Sequence, residues 1–204
     1  MNNILITSAG QRVSLVRFFK HELANFDHNA KVYTVDLNPT LAPACHVSDG
    51  YKQVKHVTDE NYISELLLIC KEWKIKLIIP TIDTELLVLT KNRTLFIEHG
   101  IIPIVSDLNF VQTCRDKRLT NLFFTNRNID IPKPIDKNNP IFPLFIKPYD
   151  GSLSKDILIL KNKSELAQHH LANQKLMFME YIDPAFYNEY TVDTYYDKNN
   201  ELKC

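Results

Sequence analysis

Glycine is scarce in this chain of 204 residues: it occurs four times, where an average usage of about 7% would give fourteen or so. The shortage matters wherever a backbone must approach a phosphate group, because a Cβ atom obstructs that approach. The sequence has no Walker loop, since no Gly-Lys-Ser/Thr opens a predicted helix. The first predicted loop, residues 8–12, holds one glycine where a dinucleotide-binding G-x-G-x-x-G loop has three.

An excess of charge of either sign is also missing. Lys+Arg and Asp+Glu both number 24, so nothing indicates nucleic acid or an anionic membrane as a partner. No apolar run reaches the length of a membrane span, about 18 residues, and the chain does not begin with a basic leader. The four cysteines form no C-x-x-C pair, which favours reduced thiols. These features predict a cytoplasmic protein.

Apolar runs alternate with amphipathic stretches through the first half of the chain. We predict strands over residues 4–7, 31–36, 51–57, 77–81 and 101–105, and helices over residues 12–25, 60–73 and 85–96. Strand–helix alternation of this kind is typical of a parallel, doubly wound sheet. Such a sheet binds ligands outside the carboxyl ends of its strands. The candidate site residues of this half are therefore those that follow its strands.

Four charged residues lie at these strand ends: Arg12, Asp36, Asp83 and Glu85. Asp36 occupies the place where a dinucleotide-binding fold carries the acid that contacts the ribose. We interpret this half mainly as a scaffold, with Arg12, Asp83 and Glu85 as candidates for a substrate pocket. For the two acids at the predicted helix start, a favourable interaction with the helix dipole is the simpler interpretation.

The pattern changes near residues 106–112. Beyond this point come a helix, a connector with four prolines between residues 132 and 143, and short strands. We therefore predict two domains, residues 1–111 and residues 112–204.

Lys147 follows a short apolar strand, residues 144–146, and a loop of small polar residues leads from it to a second strand, residues 157–160. This arrangement suits a phosphate chain, because the lysine supplies positive charge and small residues let backbone N–H groups approach the oxygens. A β-hairpin with a solvated lysine is the alternative interpretation of these residues alone.

Further segments accompany Lys147 in a fixed order. They are Asp116-Lys117 at a helix start, the Pro-Lys-Pro turn at 132–134, the Glu-Tyr-Ile segment at 180–182 and the Glu-Tyr-Thr-Val-Asp strand at 189–193. In this order and spacing they resemble the N-terminal half of an ATP-grasp domain, of the kind related to the carbamoyl-phosphate synthase large chain. The first half of the chain is similar to the domain that precedes it in that superfamily. The resemblance implies an α/β fold: a Rossmann-like parallel-sheet pre-ATP-grasp domain, then a partial α+β ATP-grasp domain.

The resemblance also implies roles for individual residues. Lys117 and Lys147 reach the nucleotide phosphates and are the candidate catalytic residues. Residues 150–155 form the loop that closes over the phosphates, with Gly151, Ser152, Ser154 and Lys155 as its binding residues. Leu153 and Asp156 stand where the family commonly has glycine.

The base and the ribose are assigned in the same way. Glu180 accepts from the adenine amino group, Tyr181 and Ile182 complete the hinge, and the Ile182 backbone faces the purine edge. Glu189 resembles the acid that binds the ribose hydroxyls, which suits a carboxylate with two acceptor oxygens.

The function implied by the resemblance is that of an ATP-dependent carboxylate ligase that forms a carbon–nitrogen bond through an acylphosphate. ATP and Mg²⁺ are the expected cofactors, with the metal ligands expected beyond Cys204, so that no metal ligand is assigned here. We expect a small carboxylate substrate, and a homodimer is a candidate assembly. We expect the chain to be an incomplete fragment that is inactive alone. Two alternatives stay open: a nucleotide-binding or regulatory module without catalysis, and a dinucleotide-binding domain that depends on Asp36.

Overall fold

The structure, a computed structural model, describes residues 2–151, 155–197, 199 and 201–203. It divides into two compact units, Met1–Arg115 and Asp116–Cys204. The boundary proposed from the sequence, between residues 111 and 112, lies slightly earlier in the chain. It falls within a helix, Leu108–Arg115, that contacts the first unit.

The first unit contains a parallel sheet of five strands. They are β1 (Asn3–Thr7), β2 (Val32–Asp36), β3 (Tyr51–Gln53), β4 (Ile75–Pro80) and β5 (Ile102–Pro103). Their order across the sheet is β3-β2-β1-β4-β5 and every neighbouring pair is parallel. The parallel α/β sheet predicted from the alternating pattern is confirmed.

Helices cover both faces of this sheet, which explains why the central strand reads as a continuous apolar run. On β1, Leu5 packs into the core on one face, whereas Ile4 and Ile6 pack into the core on the other. The helices of this unit are α1 (Val13–Phe26), α2 (Pro43–Val47), α3 (Tyr62–Glu72), α4 (Asp83–Lys91), α5 (Arg93–Glu98) and α6 (Leu108–Arg115). A short 3₁₀ turn, Pro39–Leu41, precedes α2.

The helix predicted over residues 85–96 is two helices, because the chain bends at Asn92. The Asn92 side chain donates a hydrogen bond to the carbonyl oxygen of Val88, 2.9 Å away, and such local bonds compete with helix continuation. The third strand is also shorter than predicted, since it ends at Gln53. Helix α2 was not predicted from the sequence.

The second unit contains an antiparallel sheet of three strands, β6 (Leu144–Pro148), β7 (Leu158–Leu160) and β8 (Leu176–Glu180), in the order β7-β6-β8. It also contains helix α7 (Lys117–Thr125) and helix α8 (Gln168–Ala172), the second after a 3₁₀ turn at Lys163–Glu165. One side of the sheet buries Leu144, Ile146, Leu160 and Phe178.

The strand predicted over residues 189–193 is not formed. These residues pair with no other strand in the described part of the chain, and their side chains are exposed. Alternation alone is insufficient, because a strand needs a partner for its backbone N–H and C=O groups. Further along, an antiparallel bridge joins Tyr196 and Leu202.

Among the described residues, no helix combines the length and the apolar character that a membrane crossing needs. Three described cysteines, Cys45, Cys70 and Cys114, carry free thiols.

The same substitution at two leucines of α3, one buried and one exposed, tests how this helix packs. Leu66 is 0% exposed and Leu68 is 67% exposed. We expect Leu66→Ala to lower the free energy of unfolding by about 2–5 kcal/mol, because it leaves a cavity in the core. Leu68→Ala should change it by less than about 0.5 kcal/mol. Urea unfolding followed by the fluorescence of Trp73, which packs against the same core, measures both; equal losses would contradict the packing described.

Candidate functional site

The second unit holds a pocket of about 600 Å³, within the range of ligand pockets, roughly 300–1,000 Å³. We call it the lysine pocket; its lining residues are Pro132, Phe145, Lys147, Ile159, Met179, Glu180, Tyr181, Ile182, Pro184, Tyr187, Asn188 and Glu189. Five residues singled out from the sequence, Lys147, Glu180, Tyr181, Ile182 and Glu189, are among them. Segments far apart in the chain therefore meet at one concave surface.

The register of the antiparallel sheet builds the wall of this pocket. Phe145 on β6 pairs with Ile159 on β7 and with Met179 on β8. Directly paired residues point to the same side of a sheet, so these three side chains form a row across it. Lys147 lies two residues further along β6, on the same side, opposite Met177. The sheet thus presents an apolar row with a lysine at its end.

Lys147 is a partly buried cation that has no hydrogen-bond or ion-pair partner among the residues that the structure describes. Its Nζ lies 5.7 Å from the centre of the Phe145 ring. Burial, and then the positive charge of Lys117, lower the pKa of Lys147. Two cations held near each other repel, and a multiply charged anion between them would offset both this repulsion and the loss of hydration.

Lys117 is positioned by the first turn of α7. The Asp116 carboxylate caps this helix by accepting from the backbone N–H of Arg118 at 2.9 Å. The backbone N–H of Lys117 donates to the carbonyl oxygen of Tyr149 at 3.0 Å, and its Nζ donates to the carbonyl oxygen of Gly151. The Arg118 guanidinium stacks 3.6 Å from the centre of the Tyr149 ring. The start of α7 is therefore attached to the loop that follows β6.

The predicted phosphate loop follows Lys147 in the sequence, and the structure describes only part of it. Neither Gly151 nor Lys155 is among the lining residues of the lysine pocket, and Lys155 is exposed. Ser152 and Ser154 lie outside the described residues. At the end of the loop, Asp156 has a φ of 58°, in the left-handed region where glycine is favoured.

Glu180 is engaged by the chain itself. Its Oε1 accepts from the backbone N–H of Lys133 at 2.8 Å, and its backbone N–H donates to the Lys133 carbonyl oxygen at 2.8 Å. These bonds hold the Pro-Lys-Pro turn against the end of β8 and bring Pro132 to the pocket. The carboxylate that was predicted to bind adenine therefore holds the pocket wall in place; adenine binding stays a prediction.

Several lining residues were missed from the sequence: Pro132, Phe145, Ile159, Pro184, Tyr187 and Asn188. For Phe145 a signal was present, because it lies two residues before Lys147 and alternation places both side chains on one side of the strand. Tyr187 and Asn188 carry no such signal, since they belong to a segment without regular secondary structure.

A metal site was not assigned from the sequence. Within the described ranges, no group of three or more His, Cys, Asp or Glu side chains could hold a metal ion. The location of magnesium ligands beyond Cys204 stays a prediction.

The sheet of the first unit buries an acid that the sequence had presented as an exposed helix-start charge. Glu85 is 1% exposed. Its carboxylate accepts from the hydroxyl of Thr7 at 2.8 Å and from that of Tyr62 at 2.5 Å. Burial raises the pKa of Glu85. Its neighbour Asp83, by contrast, forms an ion pair with Arg115 at 2.5 Å.

Both carboxylate oxygens of Asp36, the candidate ribose acid, accept hydrogen bonds from backbone N–H groups. The Oδ2 atom accepts from the N–H of Gly10 and the Oδ1 atom from the N–H of Asn38, both at 2.9 Å. The carboxylate therefore fixes the loops that follow β1 and β2. This geometry gives the dinucleotide alternative no support.

Part of the first unit matches a known protein family, and most of the chain is similar to solved structures. Residues 4–104 match the family described as PylC-like, N-terminal domain. An L-amino acid ligase from Bacillus licheniformis is similar in structure, with a TM-score of 0.65 and 14% identity over 90% of this chain and 45% of that chain. No curated protein matches the sequence.

Two biotin carboxylase structures are similar to the same extent. The enzyme from Campylobacter jejuni, in a complex with β,γ-ATP, has a TM-score of 0.64 and 15% identity over 89% of this chain and 45% of that chain. The biotin carboxylase domain of 2-oxoglutarate carboxylase from Hydrogenobacter thermophilus, in complex with MgADP, has a TM-score of 0.62 and 15% identity over 88% of this chain and 44% of that chain. At these identities the likeness shows the fold, and this chain spans less than half the length of each relative.

The buried Glu85 predicts a pH dependence of stability. The pKa of Glu85 in the folded protein is raised above the ordinary value of 4.5. As the pH rises, Glu85 therefore loses its proton at a lower pH in the unfolded chain than in the folded protein. Stability should fall from about pH 4.5 up to the raised pKa, by up to about 1.4 kcal/mol per pH unit. Glu85→Gln should remove this fall, while Glu98→Gln on the exposed side of α5 should keep it.

Unfolding free energies measured between pH 4 and 8 test this expectation. Asp36 is the charged neighbour of Glu85, and Tyr62 stays protonated in this range because burial raises its pKa. A difference between Glu85→Gln and the unmodified protein that does not change with pH would contradict a raised pKa.

Proposed function

We propose that this chain, which has the fold of the ATP-grasp superfamily with a PylC-like N-terminal domain, is the nucleotide-binding part of an ATP-dependent carboxylate ligase. One observation carries the proposal. A partly buried lysine lies at the end of an apolar row, in the same pocket as the predicted hinge residues, and has no hydrogen-bond or ion-pair partner among the described residues.

The lining of the lysine pocket fits the parts of ATP. Phe145 and Met179 offer an aromatic ring and a polarizable thioether to a planar base. Lys147 supplies positive charge for the phosphates from the pocket wall. Lys117 does not line the pocket, but it lies close enough for its charge to act on Lys147, and it would add to the positive charge near the phosphates. Glu189 supplies acceptor oxygens for the ribose hydroxyls. In this proposal Glu180 keeps its bond to Lys133 and uses its remaining acceptor capacity toward the adenine amino group.

The proposed reaction joins an acid to an amine. The terminal phosphoryl group of ATP passes to a carboxylate oxygen of the acid, and ADP leaves. The nitrogen of the neutral amine then attacks the acyl carbon of the acylphosphate; the C–O bond to phosphate breaks, phosphate leaves, and the nitrogen loses a proton to give the amide. The two lysines would stabilise the negative charge of the transferring group, which is the main task of a protein in phosphoryl transfer. Likeness to the carbamoyl-phosphate synthase large chain, a small carboxylate substrate, a homodimer and a cytoplasmic location are further parts of this proposal.

We propose that the nucleotide binds together with Mg²⁺, because a structural relative does so. The relative from Hydrogenobacter thermophilus is described with MgADP, which supports the pairing of nucleotide and metal. The residues described here supply no group of ligands for the ion. No step is therefore assigned to it.

A second candidate, a nucleotide-binding module without catalysis, is favoured by Asp156. This residue brings a carboxylate and a Cβ atom to a left-handed backbone position, at the end of the loop that would approach the phosphates. Negative charge close to phosphate weakens binding. Under this candidate, the chain binds ATP while a slow or absent loop closure prevents transfer.

Substitution of Lys147 tests the proposed nucleotide site. We expect Lys147→Ala to weaken the binding of Mg-ATP by about 10- to 100-fold, the loss typical of one charge-assisted hydrogen bond. Lys161→Ala, at an exposed position of the same unit, should change the dissociation constant by less than about twofold. Isothermal titration calorimetry of both variants and the unmodified chain measures the difference.

Two results would overturn the proposal. The first is equal ATP affinity of the Lys147→Ala and Lys161→Ala variants. The second is binding of NAD that is lost in Asp36→Asn and unaffected by Lys147→Ala, since this would support the dinucleotide alternative.

Substitution of Asp156 measures how much the loop limits nucleotide binding. Asp156→Gly removes both the charge and the Cβ atom, whereas Asp156→Ala removes the charge and keeps the Cβ atom at a positive φ. We expect Asp156→Gly to tighten ATP binding by several-fold, about 1 kcal/mol, and Asp156→Ala to do so by less. If neither variant binds more tightly, the loop does not limit binding.

A further inference from the structure

A second pocket, of about 280 Å³, lies in the first unit. We call it the edge pocket; it is lined by Ser8, Asp36, Leu37, Val54, Lys55, His56, Val57, Tyr62, Ile82, Thr84 and Glu85. Most of these residues directly follow β1, β2, β3 and β4. The pocket therefore lies at the carboxyl edge of the sheet, close to the point where the strand order reverses between β1 and β4, which is where open α/β sheets bind their ligands.

Two acidic side chains line the edge pocket. They are Glu85 and Asp36, and in the described part of the chain neither forms an ion pair with a Lys, Arg or His side chain. Burial first, and the nearby charge of Asp36 to a smaller extent, raise the pKa of Glu85. Carboxylates of this kind are stabilised by a cation that takes the place of the lost water.

The two basic residues that line the pocket are directed to other partners. The Lys55 ammonium lies 3.6 Å from the carboxylate of Asp59. The His56 ring forms a hydrogen bond with the Thr58 hydroxyl at 2.8 Å. Both side chains are exposed. They leave the buried carboxylate without a positive neighbour.

The remaining wall is mainly apolar, with Leu37, Val54, Val57 and Ile82 among its residues. One residue of the wall is held in an unusual backbone conformation: Ser8 has a φ of 49°, which is uncommon for a residue other than glycine. The hydroxyl of Thr81 donates to its carbonyl oxygen at 2.6 Å and so helps to hold the loop. Strained backbone of this kind concentrates at binding sites.

From this geometry we infer that the edge pocket binds the ammonium group of a small aliphatic amine, with Glu85 as its main partner and the apolar wall around its carbon chain. An anion is disfavoured by the two carboxylates. The volume limits the ligand to a small molecule.

An amine is also the nucleophile in the ligation proposed above, and this link alone depends on that proposal. Binding of an amine to the first unit can be measured without ATP. If the edge pocket does not bind an amine, the proposed nucleotide site is unaffected, and if ATP does not bind, amine binding can still be observed. The two failures are therefore distinguishable.

Titration of the ¹⁵N-labelled chain with n-butylamine, with 1-butanol as a neutral ligand of matched shape, tests the inference by NMR. We expect butylamine to shift the backbone amide signals of Ser8, Leu37, Val57 and Thr84 with a saturating, millimolar curve. Because a hydrogen bond to a charged group stabilises more than a neutral one, butanol should bind about tenfold or more weakly. Equal affinity of the two ligands, or shifts confined to other residues, would overturn the inference.

Substitutions identify the partner of the ammonium group. Glu85→Gln keeps the size and polarity of the side chain and should weaken butylamine binding by about tenfold or more. Asp83→Asn is the matched control, since Asp83 pairs with Arg115 and does not line the edge pocket; it should bind as the unmodified chain does. Equal binding by the two variants would contradict the role of Glu85.

A second variant keeps the test decisive if Glu85→Gln does not fold. Asp36→Asn removes the other negative charge and retains an oxygen for one of the two backbone N–H groups. We expect a several-fold loss of butylamine affinity, and no loss would count against the inference. Adenosine serves as the competing ligand: if it binds at these amides and butylamine does not, the pocket is a nucleoside site.

Discussion

The pairing of β6 with β8 is the contact on which the lysine pocket depends. It places Phe145 opposite Met179 and Lys147 opposite Met177. A slip of one residue would turn Phe145 and Lys147 into the core and bring Leu144 and Ile146 to the pocket. The register is held because Leu144, Ile146 and Phe178 are buried together on the other side of the sheet. The same burial that stabilises the sheet therefore determines where the lysine charge is presented.

In the first unit, too, hydrophobic burial determines where a charged side chain lies, but that side chain is an acid. The central strand of this unit is buried on both faces. Polar side chains just after the strands therefore lie next to the hydrophobic core, and Glu85 is buried there. Glu85 is satisfied there by hydroxyl donors from Thr7 and Tyr62. The hydrophobic clusters among the described residues thus come from simple periodic patterns, and the sheets that they stabilise form part of the wall of the lysine pocket and of the edge pocket. The charged residues near the strand ends then determine what each pocket can bind: Lys147 in the lysine pocket and Glu85 in the edge pocket.

Much of this could be predicted from the sequence. The strand and helix periods of the first unit predicted its parallel sheet, and the ordered segments around Lys147 predicted five lining residues of one pocket. Residues 189–193 show the limit of such patterns, since alternation indicates a strand only where a partner strand is available. The burial of Glu85 could not be predicted, because an acid at a helix start matches an exposed position equally well. The bond between Glu180 and Lys133 joins segments 47 residues apart and leaves no local signal.

Photolabelling with 8-azido-ATP tests the central claim, that the second unit binds the nucleotide base in the lysine pocket. After irradiation and proteolysis, mass spectrometry locates the labelled peptides. The account predicts label within residues 177–189, reduced by excess ATP. Label within residues 2–115 that excess ATP removes would contradict it, because the base would then bind to the first unit.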